Sequence, residues 1–212
     1  CAYRPGHISR QLRDGRCQSF GVEIYTFRGE KVDRGITQVA WEASDISRKE
    51  FAHYTLKEIH EQASIIKASL TQDDEKLNTF CNQLKTTRKV YMTGCGTSFH
   101  AGLLAKYLVA RLLKLPSEVF VSSEFNHHLE LVDQESVLLA ISQSGETADV
   151  LAAVKEARSR GAKILAIVNN LGSTLVRESD LSLSINCGPE FGVAATKSFT
   201  SQLMLIYLIT LR

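Results

Sequence analysis

The chain has 212 residues, of which 44% are hydrophobic and 23% are charged, and its formal net charge is +2. This balance gives no reason to expect a nucleic acid or a membrane surface as partner, and no apolar run approaches the roughly 18 residues that span a bilayer. The length suffices for one α/β domain of ordinary size with an appendage.

The cysteine and histidine patterns argue against a disulfide framework and against a metal site. The five cysteines are odd in number and widely spaced, without a C-x-x-C pair, which is typical of a reducing compartment. Among the six histidines, His60-Glu61 comes closest to H-E-x-x-H, but position 64 is Ser. His127 and His128 are adjacent and do not share a face. We therefore expect a cytoplasmic protein that holds no metal.

Residues 1–34 differ in pattern from the rest of the chain. Residues 22–27 predict a strand, Arg28-Gly29 a turn and residues 30–32 a short return strand. This is too little chain to bury a core alone, so we expect the tail of a preceding domain or a small addition. Cys1 could be an N-terminal nucleophile with its own α-amine as base. No glycine loop or oxyanion donor set accompanies it, and an arbitrary first residue is the favoured interpretation.

Residues 35–87 predict a helical linker. Apolar positions 52, 56 and 59 fall on one helical stripe, which Ile66 and Leu70 extend. A second helix is predicted over residues 74–84. We expect this region to pack against the domain that follows.

From residue 88 to residue 212, strands and helices alternate. The predicted strands cover residues 89–93, 118–121, 136–141, 163–168 and 181–186, and the last helix covers residues 193–211. Five strands joined by helices predict a parallel sheet covered on both faces. Right-handed crossovers then indicate a doubly wound α/β fold, with the flavodoxin-like strand order 2-1-3-4-5. Stretch 203–209 of the last helix is apolar on every side, so we expect it to be buried.

The turn after the third strand carries the most informative functional pattern. It reads Ser142-Gln143-Ser144-Gly145-Glu146-Thr147 and leads into a predicted helix. The first N–H groups of such a helix lack partners, and the helix dipole adds positive potential. Three hydroxyls, an amide and a glycine at this place predict a site for phosphate or another anion. The alternative is that Ser144 or Thr147 simply caps the helix.

The predicted strand order brings a second hydroxyl-rich turn to the same place. With the order 2-1-3-4-5, the turns after the first and third strands lie side by side at the carboxyl ends of the strands, where ligands of such sheets bind. Thr97 and Ser98 follow the first strand. The two turns should therefore share one crevice, which favours the phosphate interpretation.

Other nucleotide and hydrolase motifs fail on their spacing. Gly94-Cys95-Gly96 follows a strand as in a dinucleotide fingerprint, but the third glycine of G-x-G-x-x-G falls at Phe99. Neither Ser142 nor Ser144 satisfies the G-x-S-x-G of a hydrolase elbow. No P-loop lysine follows a glycine run. We therefore expect no cofactor.

Three motifs resemble those of the sugar isomerase (SIS) domain. They are Gly94-Cys95-Gly96-Thr97-Ser98, the run of residues 142–149, and the run of residues 190–200. More narrowly, they resemble the first SIS domain of the glutamine–fructose-6-phosphate aminotransferase family, which residues 53–62 and 173–180 also fit. The resemblance covers roughly residues 22–212.

The resemblance implies a reaction and a set of ligand contacts. Enzymes of that family make glucosamine 6-phosphate from fructose 6-phosphate and glutamine. By position, the implied phosphate ligands are Ser142, Gln143, Ser144 and Thr147. Thr97 and Ser98 would contact the sugar or its phosphate, and Val193 would contact the sugar through its backbone. Ala195 stands where the family often has Ser, which puts one sugar contact in question.

Other parts of the family pattern are missing from this sequence. The family's glutaminase nucleophile is an N-terminal Cys followed by Gly-Ile, whereas Cys1 precedes Ala2-Tyr3, so Cys1 should not inherit that role. The second SIS domain, which would supply the acid and base groups, is also absent, so no catalytic residue is assigned. We expect a fragment that binds hexose phosphate and is inactive alone, and the abrupt end of an apolar helix at Leu211-Arg212 favours a fragment. The resemblance also implies a homodimer, since SIS domains of the family pair across a two-fold axis. The alternatives are a stand-alone sugar-phosphate sensor and a simple aldose–ketose isomerase.

Overall fold

The computed structural model describes residues 14–18, 21–26, 28–32 and 47–212. The chain divides into two compact units, Cys1–Trp41 and Glu42–Arg212. The described part of the first unit is a small antiparallel sheet made of β1 (Asp14–Gln18), β2 (Gly21–Tyr25) and β3 (Lys31–Val32). Strands β2 and β3 correspond to the two strands predicted there. Cys1, which was considered as a nucleophile from the sequence, lies outside the described residues.

The second unit is a five-stranded parallel sheet flanked by helices. Its strands are β4 (Lys89–Gly94), β5 (Ser117–Val121), β6 (Ser136–Ser142), β7 (Lys163–Val168) and β8 (Leu181–Ser184). Its helices are α1 (Tyr54–Leu70), α2 (Asp74–Lys85), α3 (Thr97–Leu108), α4 (Ala148–Ser159), α5 (Thr174–Arg177) and α6 (Lys197–Leu211). A π-helical turn over Val109–Leu113 extends α3, and a 3-10 helix over Ser122–Leu131 follows β5.

The strand order is β5-β4-β6-β7-β8, and all four pairings are parallel. Counted along the sheet domain this is the order 2-1-3-4-5, so the predicted doubly wound α/β fold is confirmed. Strand β4 lies between β5 and β6, with Thr93 opposite Ala140. The carboxyl ends of β4 and β6 are therefore neighbours, and the turns that leave them meet at one edge of the sheet.

The core lies on both faces of the sheet, which explains the apolar run in β6. All seven residues of this strand are buried. Val137, Leu139 and Ile141 pack on one face with residues of α2, α3 and α6. Leu138 and Ala140 pack on the other face with residues of α4, α5 and the 3-10 helix. A strand covered on both faces needs apolar side chains at every position, not at alternate ones.

Helix α1 packs on α6, but not through its apolar stripe. Leu56, Ile59, Ile66 and Leu70 are each 36–46% exposed. The buried positions of the helix are instead polar, and they include Glu58, which is 1% exposed. Polar partners on and beside α6 satisfy that face, so hydrophobic periodicity gave the wrong face of this helix.

The last helix also departs from the sequence pattern. Leu205, Ile206 and Ile209 are buried as expected, but Tyr207 is 38% exposed. The helix therefore has one outward side, and the expectation of complete burial was wrong. None of the helices in the described ranges is long and apolar enough to cross a membrane.

Candidate functional site

A cavity of about 500 Å³ opens where β4 and β6 end. Three segments line it: the turn after β4, the turn after β6 with the start of α4, and the loop between β8 and α6. The lining residues are Cys95, Gly96, Thr97, Ser98, Ile141, Ser142, Gln143, Ser144, Thr147, Val150, Val193, Ala194 and Ala195. All eight site residues named from the sequence thus lie around one cavity. Cys95, Gly96 and Ala194 also line it; they belong to the motifs named from the sequence but had not been assigned a contact.

The 142–147 turn is held by its own hydroxyls. Gly145 N donates to Ser142 Oγ at 3.0 Å, and Glu146 N donates to Ser144 Oγ at 3.2 Å. Ser142 Oγ also lies 3.5 Å from Thr147 Oγ1. Since the Ser144 hydroxyl accepts in this contact, its proton is free to be donated to a ligand.

Helix capping does not account for these hydroxyls. Thr147 is the N-cap of α4, but its side chain makes no capping hydrogen bond. The Ser144 hydroxyl binds Glu146 N in the turn, ahead of the helix. The first N–H groups of α4 consequently keep their tendency to attract an anion at the cavity wall.

The carboxylate of this turn is directed away from the cavity. Thr174 N, at the start of α5, donates to Glu146 Oε1 at 2.6 Å, and Leu175 N donates to Gly145 O at 3.0 Å. Glu146 does not line the cavity. The turn is therefore braced from behind by α5, and the Glu146 charge is tied to that brace instead of facing an anion.

The turn after β4 presents Ser98 with a defined hydrogen-bond partner. Gln202 of α6 is 1% exposed, and its Nε2 donates to Ser98 Oγ at 2.9 Å. The Ser98 hydroxyl accepts this bond and so can donate its own proton toward the cavity. No sequence pattern pointed to Gln202, because the contact joins residues 104 positions apart.

The third wall is the loop of residues 185–196, which we call the β8–α6 loop. The last helix was predicted to begin at Val193, but α6 begins at Lys197. The reason is Glu190, whose carboxylate accepts from Thr196 N and Ser198 N, each at 3.1 Å, and from the Ser198 hydroxyl. This capping ends the loop at the helix and leaves Val193 fully exposed on the cavity wall.

The cavity has hydrogen-bond donors but few groups that titrate. Among its lining residues, all in the described part of the chain, there is no Asp, Glu, His, Lys or Arg. Across the described ranges, no group of three or more His, Cys, Asp or Glu side chains is placed to hold a metal ion. Such a wall can bind and orient a ligand, but it offers no carboxylate or imidazole for proton transfer.

Of the cysteines with described side chains, Cys95 is expected to react first with iodoacetamide at about pH 8. Burial raises the pKa of Cys187 to about 12, and burial also raises the pKa of Cys81. Cys95 is half-buried and lines the cavity. Peptide mass spectrometry should find Cys95 labelled before Cys81 and Cys187. Equally fast labelling of Cys187 would contradict this.

Comparison with known proteins agrees with this geometry. The family profile described as SIS domain matches residues 83–212. The glutamine–fructose-6-phosphate aminotransferase of Clostridium tetani is 39% identical over 199 residues, and that of Symbiobacterium thermophilum is 40% identical over 200 residues. Each alignment covers 90% of this chain and 33% of the relative. The chain therefore spans about a third of the length of these curated relatives.

A solved structure gives the same result. The C-terminal domain of glucosamine-fructose-6-phosphate aminotransferase from Francisella tularensis superposes with a TM-score of 0.72 at 35% identity. The match covers 78% of this chain and 48% of that one. The strand order, the motif-bearing turns and the profile match over more than half of the residues lead to one conclusion: this chain belongs to the SIS domain family.

Proposed function

We propose that this domain binds a hexose phosphate, fructose 6-phosphate or glucosamine 6-phosphate, with the phosphate in the 142–147 turn. The observation that carries the proposal is the meeting of two hydroxyl-rich turns and the β8–α6 loop around one cavity at the ends of β4 and β6. The two alternatives, a sensor and a simple isomerase, have no comparable support from the named relatives.

The phosphate ligands are hydroxyls, an amide and main-chain groups. Ser142, Gln143, Ser144 and Thr147 line one side of the cavity, next to the first turn of α4. Side-chain hydroxyls and helix N–H groups bind a dianion through donated hydrogen bonds and the helix dipole. The Glu146 carboxylate would repel the phosphate if it faced the cavity, and its bond to Thr174 N keeps it away.

The sugar lies between the other two walls. Thr97 and Ser98 offer hydroxyls from the start of α3, and Val193 offers main-chain groups from the β8–α6 loop. Ala195 has no hydroxyl to offer, so the sugar contact that the family often makes through Ser is missing at this position. The ligand thus spans the cavity from the turn after β6 to the β8–α6 loop.

We infer the activity of the whole protein from the names of its relatives. The curated relatives are named as aminotransferases of the isomerizing kind, and this chain corresponds to about a third of their length. We propose that residues 1–34 are the tail of a glutaminase-type domain, residues 35–87 a helical linker and residues 88–212 the first SIS domain. In the parent enzyme, a cytoplasmic homodimer, a second SIS domain supplies the groups that transfer protons. This domain contributes binding and orientation.

Calorimetric titration tests the phosphate site. The chain is expected to bind fructose 6-phosphate and glucosamine 6-phosphate but not fructose or NAD. Ser144→Ala should weaken binding by about 1–3 kcal/mol, because the phosphate loses a donated hydrogen bond. The matched control is Ser159→Ala, on the exposed end of α4, where the hydroxyl donates only to Glu156 O.

Two results would contradict the proposal. One is equal affinity of the wild type and Ser144→Ala for fructose 6-phosphate, which would place the phosphate elsewhere. The other is binding of NAD, or of fructose as tightly as its phosphate, which would mean that the hydroxyl turns do not select a phosphorylated ligand.

A further inference from the structure

Helix α1 holds the β8–α6 loop through one buried carboxylate. Phe191 N donates to Glu58 Oε1 at 2.6 Å, and Gly192 N donates to the two oxygens at 3.0 and 3.1 Å. Glu58 is 1% exposed. Two consecutive main-chain N–H groups of the loop therefore share one carboxylate that comes from a helix more than 130 residues earlier.

The loop also packs closely against α1 at this point. A Cβ added to Gly192 would lie 2.8 Å from Thr55 Oγ1 and 3.3 Å from Thr55 Cα, and would also contact the Glu58 carboxylate. Only glycine lets the main chain approach the helix this closely. The next residue is Val193, on the cavity wall. The carboxylate contact is thus one residue away from the surface that faces the ligand.

A neighbouring ion-pair cluster keeps α1 in place beside the loop. Lys197, the first residue of α6, places its Nζ 2.7 Å from Glu61 Oε2, and Lys57 Nζ lies 3.4 Å from Glu61 Oε1. Both lysine side chains are at least 95% buried. The Lys197–Glu61 pair joins α6 to α1, and leaving the buried Lys197 charge unpaired would be costly. This contact holds α1 beside the start of α6, about one helical turn from Glu58.

We propose that Glu58 is a positioning residue that sets the main chain of the β8–α6 loop for contact with the sugar part of the ligand. The proposal rests on the proposed function for its ligand. The phosphate-binding turn has its own brace in α5, through Glu146 and Gly145. Loss of the Glu58 contact should therefore disturb recognition of the sugar while leaving recognition of the phosphate intact.

The test uses Glu58→Ala, Glu58→Gln and a control, Lys67→Ala, at an exposed position of the same helix. Amide hydrogen exchange at Phe191 and Gly192 is measured by NMR in the ligand-free chain. Titrations with fructose 6-phosphate and with inorganic phosphate follow in the same samples. In Glu58→Ala, exchange at both amides should speed up about 10-fold or more, since each N–H loses its acceptor.

The two ligands should respond differently. Glu58→Ala is expected to lower the affinity for fructose 6-phosphate about 10-fold. Its affinity for inorganic phosphate should stay within about 2-fold of the wild-type value. Glu58→Gln should recover much of the affinity, because its amide oxygen can accept both N–H groups as Oε1 does. Lys67→Ala should match the wild type in every measurement. A general loss of structure would instead lower the affinities for both ligands by similar factors.

The outcomes separate this proposal from the proposed function. Unchanged exchange at Phe191 and Gly192 in Glu58→Ala would overturn the positioning role, whatever the ligands do. Equal weakening of fructose 6-phosphate and inorganic phosphate binding would also overturn it. If the alanine variant does not fold, Glu58→Asp takes its place with the same outcomes, because its shorter side chain withdraws the acceptor oxygens from Phe191 N and Gly192 N. Failure of the proposed function looks different, because the wild type would then bind neither probe while amide exchange still rose in Glu58→Ala.

Discussion

Gly145→Ala is expected to abolish binding of sugar phosphates and to lower the free energy of unfolding by about 2–4 kcal/mol. Gly145 has a φ of +67°, where a side chain is strained. An added Cβ would lie 2.6 Å from Ser173 Cβ and 2.9 Å from Val168 Cγ2. Neither atom can swing away, since Ser173 and Val168 are fully buried. The turn must move, and it carries the proposed phosphate ligands with it.

Gly188→Ala is the matched control for this prediction. Gly188 has nearly the same backbone conformation, with a φ of +68°, but no heavy atom lies within 4 Å of an added Cβ. In Gly188→Ala the free energy of unfolding should fall only by the conformational cost of about 1–2 kcal/mol, and the affinity for fructose 6-phosphate should be unchanged. Denaturant unfolding and calorimetry measure the two effects. Similar losses in both variants would show that backbone strain alone, and not the shape of the turn, is responsible.

Gly94→Ala is expected to destabilise the domain by about 1–3 kcal/mol and to weaken ligand binding at the turn after β4. An added Cβ would lie 2.9 Å from the carbonyl carbon of Ser98, 3.0 Å from Phe99 N and 3.1 Å from Ile141 O. All three are main-chain atoms, so no side chain can rotate to make room. The start of α3, with Thr97 and Ser98, must move away from β4.

Gly172→Ala serves as the control for this second variant. Its added Cβ would meet only Asn170 Oδ1, at 3.4 Å, which is an exposed side-chain atom that can move. The unfolding free energy should change by less than about 1 kcal/mol, with unchanged affinity. An unfolding midpoint of Gly94→Ala equal to that of Gly172→Ala would contradict the close packing of β4 on α3.

Local patterns were enough to predict the sheet and two of the three walls of the cavity, whereas Val193 and Ala195 of the third wall were named only from the resemblance to the SIS family. The uninterrupted apolar run of β6 identified a strand that is buried on both faces, and strand–helix alternation led to the order 2-1-3-4-5. The order then placed Thr97 and Ser98 beside the 142–147 turn, as found. These inferences succeeded because each depends on residues close together in the chain or on a general rule of parallel sheets.

Most of the features that the sequence did not predict depend on distant partners. The buried polar face of α1 depends on Glu58 and on the loop that it binds. The start of α6 at Lys197 is a local exception, because Glu190 caps the helix from six and eight residues away and hydrophobic patterning does not show such a cap. Gln202 owes its role to Ser98. Hydrophobic periodicity does not reveal a contact between residues more than a hundred positions apart. Patterning alone therefore indicated the wrong face of α1 as the buried one.

The most direct test of the phosphate site is a crystal structure of this chain with fructose 6-phosphate. We expect phosphate oxygens within about 2.6–3.2 Å of Ser144 Oγ and Thr147 Oγ1, with the sugar directed toward Val193. A phosphate bound against the β8–α6 loop, or outside the cavity, would contradict it, even if the affinity were high.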